Sequence, residues 1–126
     1  MDLRIGRVYR DEPAPPGAYR VLVDRLWPRG IRKEDAPWDA WWKDLTPSDA
    51  LRRWYHQDPE GRWDGFRRRY REELDALGDE VTAPALAACR RYGTVVLLTA
   101  ARNPDRSHVP VLRQWLIERL GEAAGA

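Results

Sequence analysis

The stretch Val21-Leu22-Val23-Asp24-Arg25-Leu26-Trp27-Pro28-Arg29-Gly30 decides the fold. It opens on β-branched and aliphatic residues and passes directly into a charged, aromatic loop containing proline and glycine, the pattern of a buried strand that delivers polar groups at its carboxyl end. A second run of the same kind, Thr94-Val95-Val96-Leu97-Leu98-Thr99, is almost continuously apolar, as expected at the buried centre of a sheet. Segments of helical periodicity lie between and after the two runs. Strands separated by helices indicate an α/β fold, a small and mostly parallel sheet of about three or more strands with helices packed on it.

Outward from the opening stretch, Leu3 to Tyr9 reads as a first strand and Ala18 to Asp24 as a second. The connector from Asp11 to Gly17 is stiffened by Pro13, Pro15 and Pro16, and it permits parallel or antiparallel pairing of the two. Ile31 to Leu45, with Trp38, Trp41 and Trp42, predicts a short helix. Thr46-Pro47-Ser48-Asp49 predicts a helix start with Thr46 as cap and Pro47 in the first helical position, followed by an inward stripe of Leu51, Trp54 and Tyr55. Asp58-Pro59-Glu60 opens the next helix, where Trp63, Phe66, Tyr70, Leu74 and Leu77 recur at steps of three and four before Gly78. A helix over Thr82 to Arg91, with Pro84 in its first turn and Cys89 in its core face, precedes the apolar strand. Ser107 or Asp105 caps the last helix, whose apolar stripe is Val111, Leu112, Trp115, Leu116 and Leu120.

At 126 residues the chain holds one core, so its motifs belong to a single domain over residues 1–121, with 122–126 expected to fray. Charged residues make up 33% and the hydrophobic class 43%, which excludes a disordered chain, and the longest apolar run is far too short to span a bilayer. The first residues lack the pattern of a secretory signal, so the expected location is cytoplasmic, with no membrane partner. Cys89 is the only cysteine and His56 and His108 the only histidines, which rules out a Cys- and His-rich zinc site; no metal or cofactor is expected. Of 22 Lys and Arg, only Lys33 and Lys43 are lysine. That bias suits bidentate recognition of carboxylate or phosphate, but a GC-rich coding composition, the favoured reading, produces it without any binding function.

In a parallel sheet the segments after the second strand and after the apolar strand emerge on one edge, where ligands bind in open α/β sheets. Asp24, Arg25, Trp27 and Arg29 are thereby expected near Thr99, Arg102, Ser107 and His108. The helix opening at Ser107 offers backbone donors to an anion, and arginines from both loops can clamp the same group. His108, at the positive end of that helix, is expected to be neutral near pH 7, with Asp24 as a general base or as the group that orients His108. The competing structural reading makes Asp24 with Arg25 or Arg29 an ion pair that fixes the loop, and His108 a cap. The chain has no Gly-rich phosphate loop, no metal-ligand spacing and no nucleophile elbow.

The segment from Asp24 to Gly30, with Arg7-Val8-Tyr9, Tyr19 to Val23, Lys33, Trp41, Pro47-Ser48, Leu51-Arg52, Trp54, Asp58-Pro59, Phe66, Tyr70, Glu73-Leu74, Thr94 to Ala101, His108 and Leu112, resembles the YeaO-like family of the domain of unknown function 488 over nearly the whole chain. No activity is established for that family, so the resemblance implies the fold and the position of a site and leaves the reaction open. Longer relatives of the wider family carry a cysteine after the third strand and then a Cys-His-Arg group; Thr99 and Ser107-His108-Val109 stand there in this chain, and only the histidine is kept. Thiolate chemistry is not implied.

The expected function is binding of an anionic small molecule, such as a nucleotide or another phosphorylated metabolite, with Asp24 and His108 for any acid-base chemistry and Arg25, Trp27, Arg29, Thr99, Arg102 and Ser107 as ligand contacts. Two alternatives stand beside it. One is a nucleic-acid-binding module on the arginine-rich helix 59–77, through Arg67, Arg68 and Arg71; the other is a structural or protein-interaction domain without catalysis.

Overall fold

Four strands, β1 (Asp2–Arg7), β2 (Tyr19–Leu22), β3 (Ala40–Trp41) and β4 (Thr94–Thr99), pair in parallel in the spatial order β1-β4-β2-β3. The computed structural model describes residues 2–9 and 14–125, with side chains described as far as Gly121; part of the proline-rich connector, including Pro13, lies outside the described residues. β1 and β2 do not touch, because β4 lies between them and runs parallel to both. The position of β4 explains its composition. Its side chains are covered on both faces, with Val95 and Leu97 in one cluster and Val96 and Leu98 in the other.

All four helices lie on one face of the sheet. From α1 (Asp49–His56), α2 (Trp63–Asp75), α3 (Asp79–Arg91) and α4 (Val109–Gly125), the side chains of Leu51, Phe66, Tyr70, Cys89, Leu112 and Trp115 join Val21, Val95 and Leu97 in the main core. Among the described residues, no α-helix covers the other face. Ile31, Trp38 and Trp41, from the segment after β2, pack there against Leu22, Val96 and Leu98. Across the helical layer, Trp115 donates its indole N–H to Asp75 at 2.9 Å, and Tyr70 donates its hydroxyl to the Leu45 carbonyl at 2.6 Å.

Several local expectations are corrected. The short helix expected within Ile31 to Leu45 is replaced by two single 3-10 turns, Lys33–Asp35 and Lys43–Leu45, flanking β3, because Trp38 and Trp41 cover the second sheet face while Trp42 turns to the main core, so that the three form no helical stripe. α1 is capped by Ser48, not Thr46. The Ser48 hydroxyl accepts from the Leu51 N–H at 3.1 Å and donates to Glu73 at 2.6 Å, while the Thr46 hydroxyl donates to the Lys43 carbonyl. Asp58-Pro59-Glu60 forms a turn, closed by the Gly61 N–H on Asp58 at 3.2 Å, and α2 begins only at Trp63. α3 starts at Asp79, three residues earlier than Pro84 suggested, since the Gly78 carbonyl accepts from both Val81 and Thr82 and the proline ring lies on the exposed side. α4 continues to Gly125, and of the tail expected from residue 122 the side chains fall outside the described residues.

Candidate functional site

The parallel register brings the site together. Leu22 lies opposite Leu98, so the two chains leave the sheet side by side, and the Val23 N–H still bonds the Leu98 carbonyl at 3.0 Å. Asp24 therefore faces Ala100. Its carboxylate accepts from the Thr99 hydroxyl at 2.7 Å and from the Ala100 N–H at 2.7 Å, and its own carbonyl accepts from the Trp41 indole at 2.6 Å. The Thr99 hydroxyl in turn accepts from the Ala101 N–H at 3.1 Å. Asp24 thus ties the carboxyl ends of β2, β3 and β4 into one unit.

His108 immediately precedes α4, and its carbonyl accepts from the Leu112 N–H. Ser107, one residue before, accepts from the Val109 N–H at 3.2 Å and donates to the Pro104 carbonyl at 2.6 Å. The His108 Nε2 is 2.7 Å from the Val23 carbonyl and 3.6 Å from the nearer Asp24 oxygen. A carbonyl can only accept, so Nε2 carries the proton, and in the neutral ring Nδ1 is the acceptor. Burial pushes the His108 pKa below its ordinary 6.5 and outweighs the opposing pull of the Val23 carbonyl and the Asp24 carboxylate, with Arg52 adding to the downward push. The ring is thus held neutral chiefly by desolvation. The Tyr70 ring meets it edge-on at 6.0 Å, and the same burial raises the Tyr70 hydroxyl well above its ordinary range.

Asp24, Thr99 and His108 line an open cleft of about 580 Å³ at the carboxyl edge, between the loop after β2 and the helical layer. Asp24, Arg25, Trp27, Arg29, Thr99, Ser107 and His108 all border it. Arg102 does not; it is exposed, and Arg106 takes the lining position, brought there by the 3-10 turn Pro104–Arg106. Arg25 is already paired, its Nε 2.9 Å from Asp49, which also approaches Arg52 at 3.7 Å. The Trp27 indole donates to the Ile31 carbonyl at 2.6 Å and packs edge-on against Trp38 and Trp41. The loop is further pinned by the Tyr9 hydroxyl on the Arg29 carbonyl at 2.9 Å and turns at Gly30, whose φ of +79° favours glycine.

Sequence reasoning missed the helical wall. Arg52, Tyr55 and His56 fall at i, i+3 and i+4 of α1, and Trp63 and Phe66 follow at the start of α2; all five line the cleft. The i, i+4 spacing of Arg52 and His56 is the signal that places both on one face of α1, beside the apolar stripe of Leu51, Trp54 and Tyr55. Tyr55, Trp63 and Phe66 form one aromatic cluster with ring centroids 4.6 to 6.0 Å apart, and the Arg106 guanidinium sits 5.3 Å from the Trp63 ring. Among the described residues, no three His, Cys, Asp or Glu side chains converge as metal ligands, and no helix is long and apolar enough to cross a membrane.

Comparison with known proteins gives relatives without an assigned activity. A family model described as the inactive DUF488-N3 subclade (DUF488-N3i) matches residues 2–126. An uncharacterized protein of Mycobacterium tuberculosis is 46% identical over 114 residues, 90% of this chain and 92% of that protein. The uncharacterized protein YeaO of Escherichia coli is 39% identical over 116 residues, 92% of this chain and 97% of its own length. No solved structure matches the chain.

Proposed function

The chain belongs to the inactive DUF488-N3 subclade, and from that premise we propose that it binds an anionic small molecule, bearing phosphate or carboxylate, in the cleft at the carboxyl edge of its sheet. The observation that carries the proposal is the charge of the lining. Arg25, Arg29, Arg52 and Arg106 border the cleft against, among the described residues, a single lining carboxylate, Asp24, whose two oxygens are already engaged by Thr99 and Ala100. Guanidinium groups converging in a cleft favour bidentate capture of an oxyanion.

Any proton transfer to the ligand falls to His108, held neutral with Nδ1 as its acceptor, with Asp24 beside it as an orienting charge. Binding is the better-supported half of the proposal, because the hydrogen bonds of Asp24 suit a fixed latch rather than a free base. The arginines of α2 favour the nucleic-acid alternative less: Arg67 pairs with Asp64, Arg71 with Glu118, and Arg69 lies 3.9 Å from the Trp54 ring centre.

A thermal-shift screen of phosphorylated and carboxylated metabolites on the native chain and on Arg29→Ala tests the proposal. A ligand that binds the folded state raises its melting temperature, and a cleft-bound anion stabilises Arg29→Ala less. Equal stabilisation of both proteins by every hit overturns the assignment.

A further inference from the structure

Resting on the anion-binding proposal, we infer that the ligand carries a flat aromatic ring as well as its charge, and that it is of the nucleoside monophosphate class. The cleft has two chemically different walls. Arg29, Arg52 and Arg106 supply cationic forks, while Tyr55 and Trp63, half-buried and backed by the buried Phe66, supply an aromatic wall from α1 and α2. A lone phosphate or small carboxylate uses only the first wall. The volume of about 580 Å³ lies within the roughly 300 to 1,000 Å³ of clefts that bury drug-sized ligands, far more than an inorganic anion fills.

The aromatic wall already receives planar cationic groups. Trp63 already attracts two guanidinium groups within cation–π distance, that of Arg106, which lines the cleft with it, at 5.3 Å and that of Arg67 at 5.6 Å. Arg106 thereby connects the two walls: it comes from the loop between β4 and α4, yet it rests on an aromatic ring of α2. A ligand whose phosphate meets Arg106 has its attached ring delivered to Trp63 and Tyr55. Stacking of a base on an aromatic side chain is worth enough to tighten binding by about tenfold over the same phosphate without the base.

The deciding comparison is between ligands, on the unaltered full chain. Quenching of tryptophan fluorescence, with Trp27 and Trp63 both at the cleft, is followed on titration with ribose phosphate, with the four ribonucleoside monophosphates and with adenosine. The inference expects at least one monophosphate to bind about tenfold or more tightly than ribose phosphate, and Trp63→Leu to remove that margin while ribose phosphate binding persists. Ribose phosphate binding as tightly as all four monophosphates overturns the ring requirement and leaves anion binding standing. If no phosphate ester binds, the anion site itself is lost, and the present inference with it. Should Trp63→Leu fail to fold, the ligand comparison on the native chain still decides.

Discussion

The Asp24 carboxylate and the Thr99 hydroxyl, 75 residues apart in sequence, meet at 2.7 Å and join the ends of two neighbouring parallel strands. Asp24 leaves two donors without partners if it is removed, the Thr99 hydroxyl and the Ala100 N–H. Asp24→Ala, which orphans two donors, is therefore expected to lower stability by about 2 to 4 kcal/mol, and Thr99→Val, which orphans only the half-buried Ala101 N–H, by about 1 to 2 kcal/mol. In urea denaturation the double variant should lose less than the sum of the two singles, as expected of directly bonded partners. Strict additivity would mean that the two side chains do not act on each other.

The neighbouring histidine adds a pH dependence. The folded-state pKa of His108 lies below its ordinary 6.5 because of burial. The unfolded chain thus takes up a proton at a higher pH than the folded one. The contribution of neutral His108 is fully present above pH 6.5 and is lost as the pH falls through the folded-state value. Urea midpoints measured between pH 7.5 and about 5.5 should fall for the native chain. His108→Gln, which keeps a donor for the Val23 carbonyl, should show a flatter profile; an unchanged slope would assign the effect to other groups.

Ser48 provides a separate test of the helical layer. Its hydroxyl accepts from the Leu51 N–H and donates to Glu73, and its N–H donates to the same carboxylate at 2.9 Å. Ser48→Ala should cost about 1 to 2 kcal/mol, and Thr46→Ala, which removes only a hydrogen bond within a turn, about half as much in chemical denaturation. The reverse order would restore Thr46 as the cap of α1.

The same segment illustrates how much of the molecule was legible in the sequence. Proline at position 47 marks a helix start but does not say which neighbour caps it; Glu73 of α2, remote in sequence, selects Ser48. β4 and α2 could be read directly, because their patterns are long and uniform. β3 could not, since two residues have no period and the strand exists by bonding to β2. The insertion of β4 between β1 and β2 is likewise a property of pairing, without a local signal. At the site, Asp24, Thr99 and His108 could be placed together because parallel strands end on one edge. The choice between Arg102 and Arg106 depends on a single 3-10 turn that starts within the breaker pair Asn103-Pro104, whose consequence for direction is set only in the folded chain.

Cys89 reports on the integrity of the core beneath these elements. The thiol is buried in the main cluster, and burial pushes its pKa up to about 11, against a smaller opposing effect of Arg90. Alkylation by iodoacetamide at pH 8 should be very slow in the native chain and fast in denaturant, since the thiolate is the reactive form. Rapid labelling without denaturant would mean that α3 opens away from β4 under native conditions.

Asp49 separates a cleft built to bind anions from one whose arginines merely neutralise their neighbours. Its carboxylate draws off Arg25 at 2.9 Å and approaches Arg52 at 3.7 Å, and it is about half exposed, with 54% side-chain accessibility. Asp49→Asn removes a negative charge beside the cleft while leaving an oxygen to hold Arg25. Its effect on stability should be small, within about 0.5 kcal/mol, as for exposed ion pairs generally. Its effect on the affinity of an anion should be a few-fold gain, since one adjacent charge seen through a watery cleft is worth roughly 1 kcal/mol or less. Raising the salt concentration should shrink the gain, because exposed charges are screened. A loss of affinity in Asp49→Asn would show instead that the carboxylate holds Arg25 and Arg52 in position for the ligand, which makes the ion pair part of the binding geometry rather than a competitor for it.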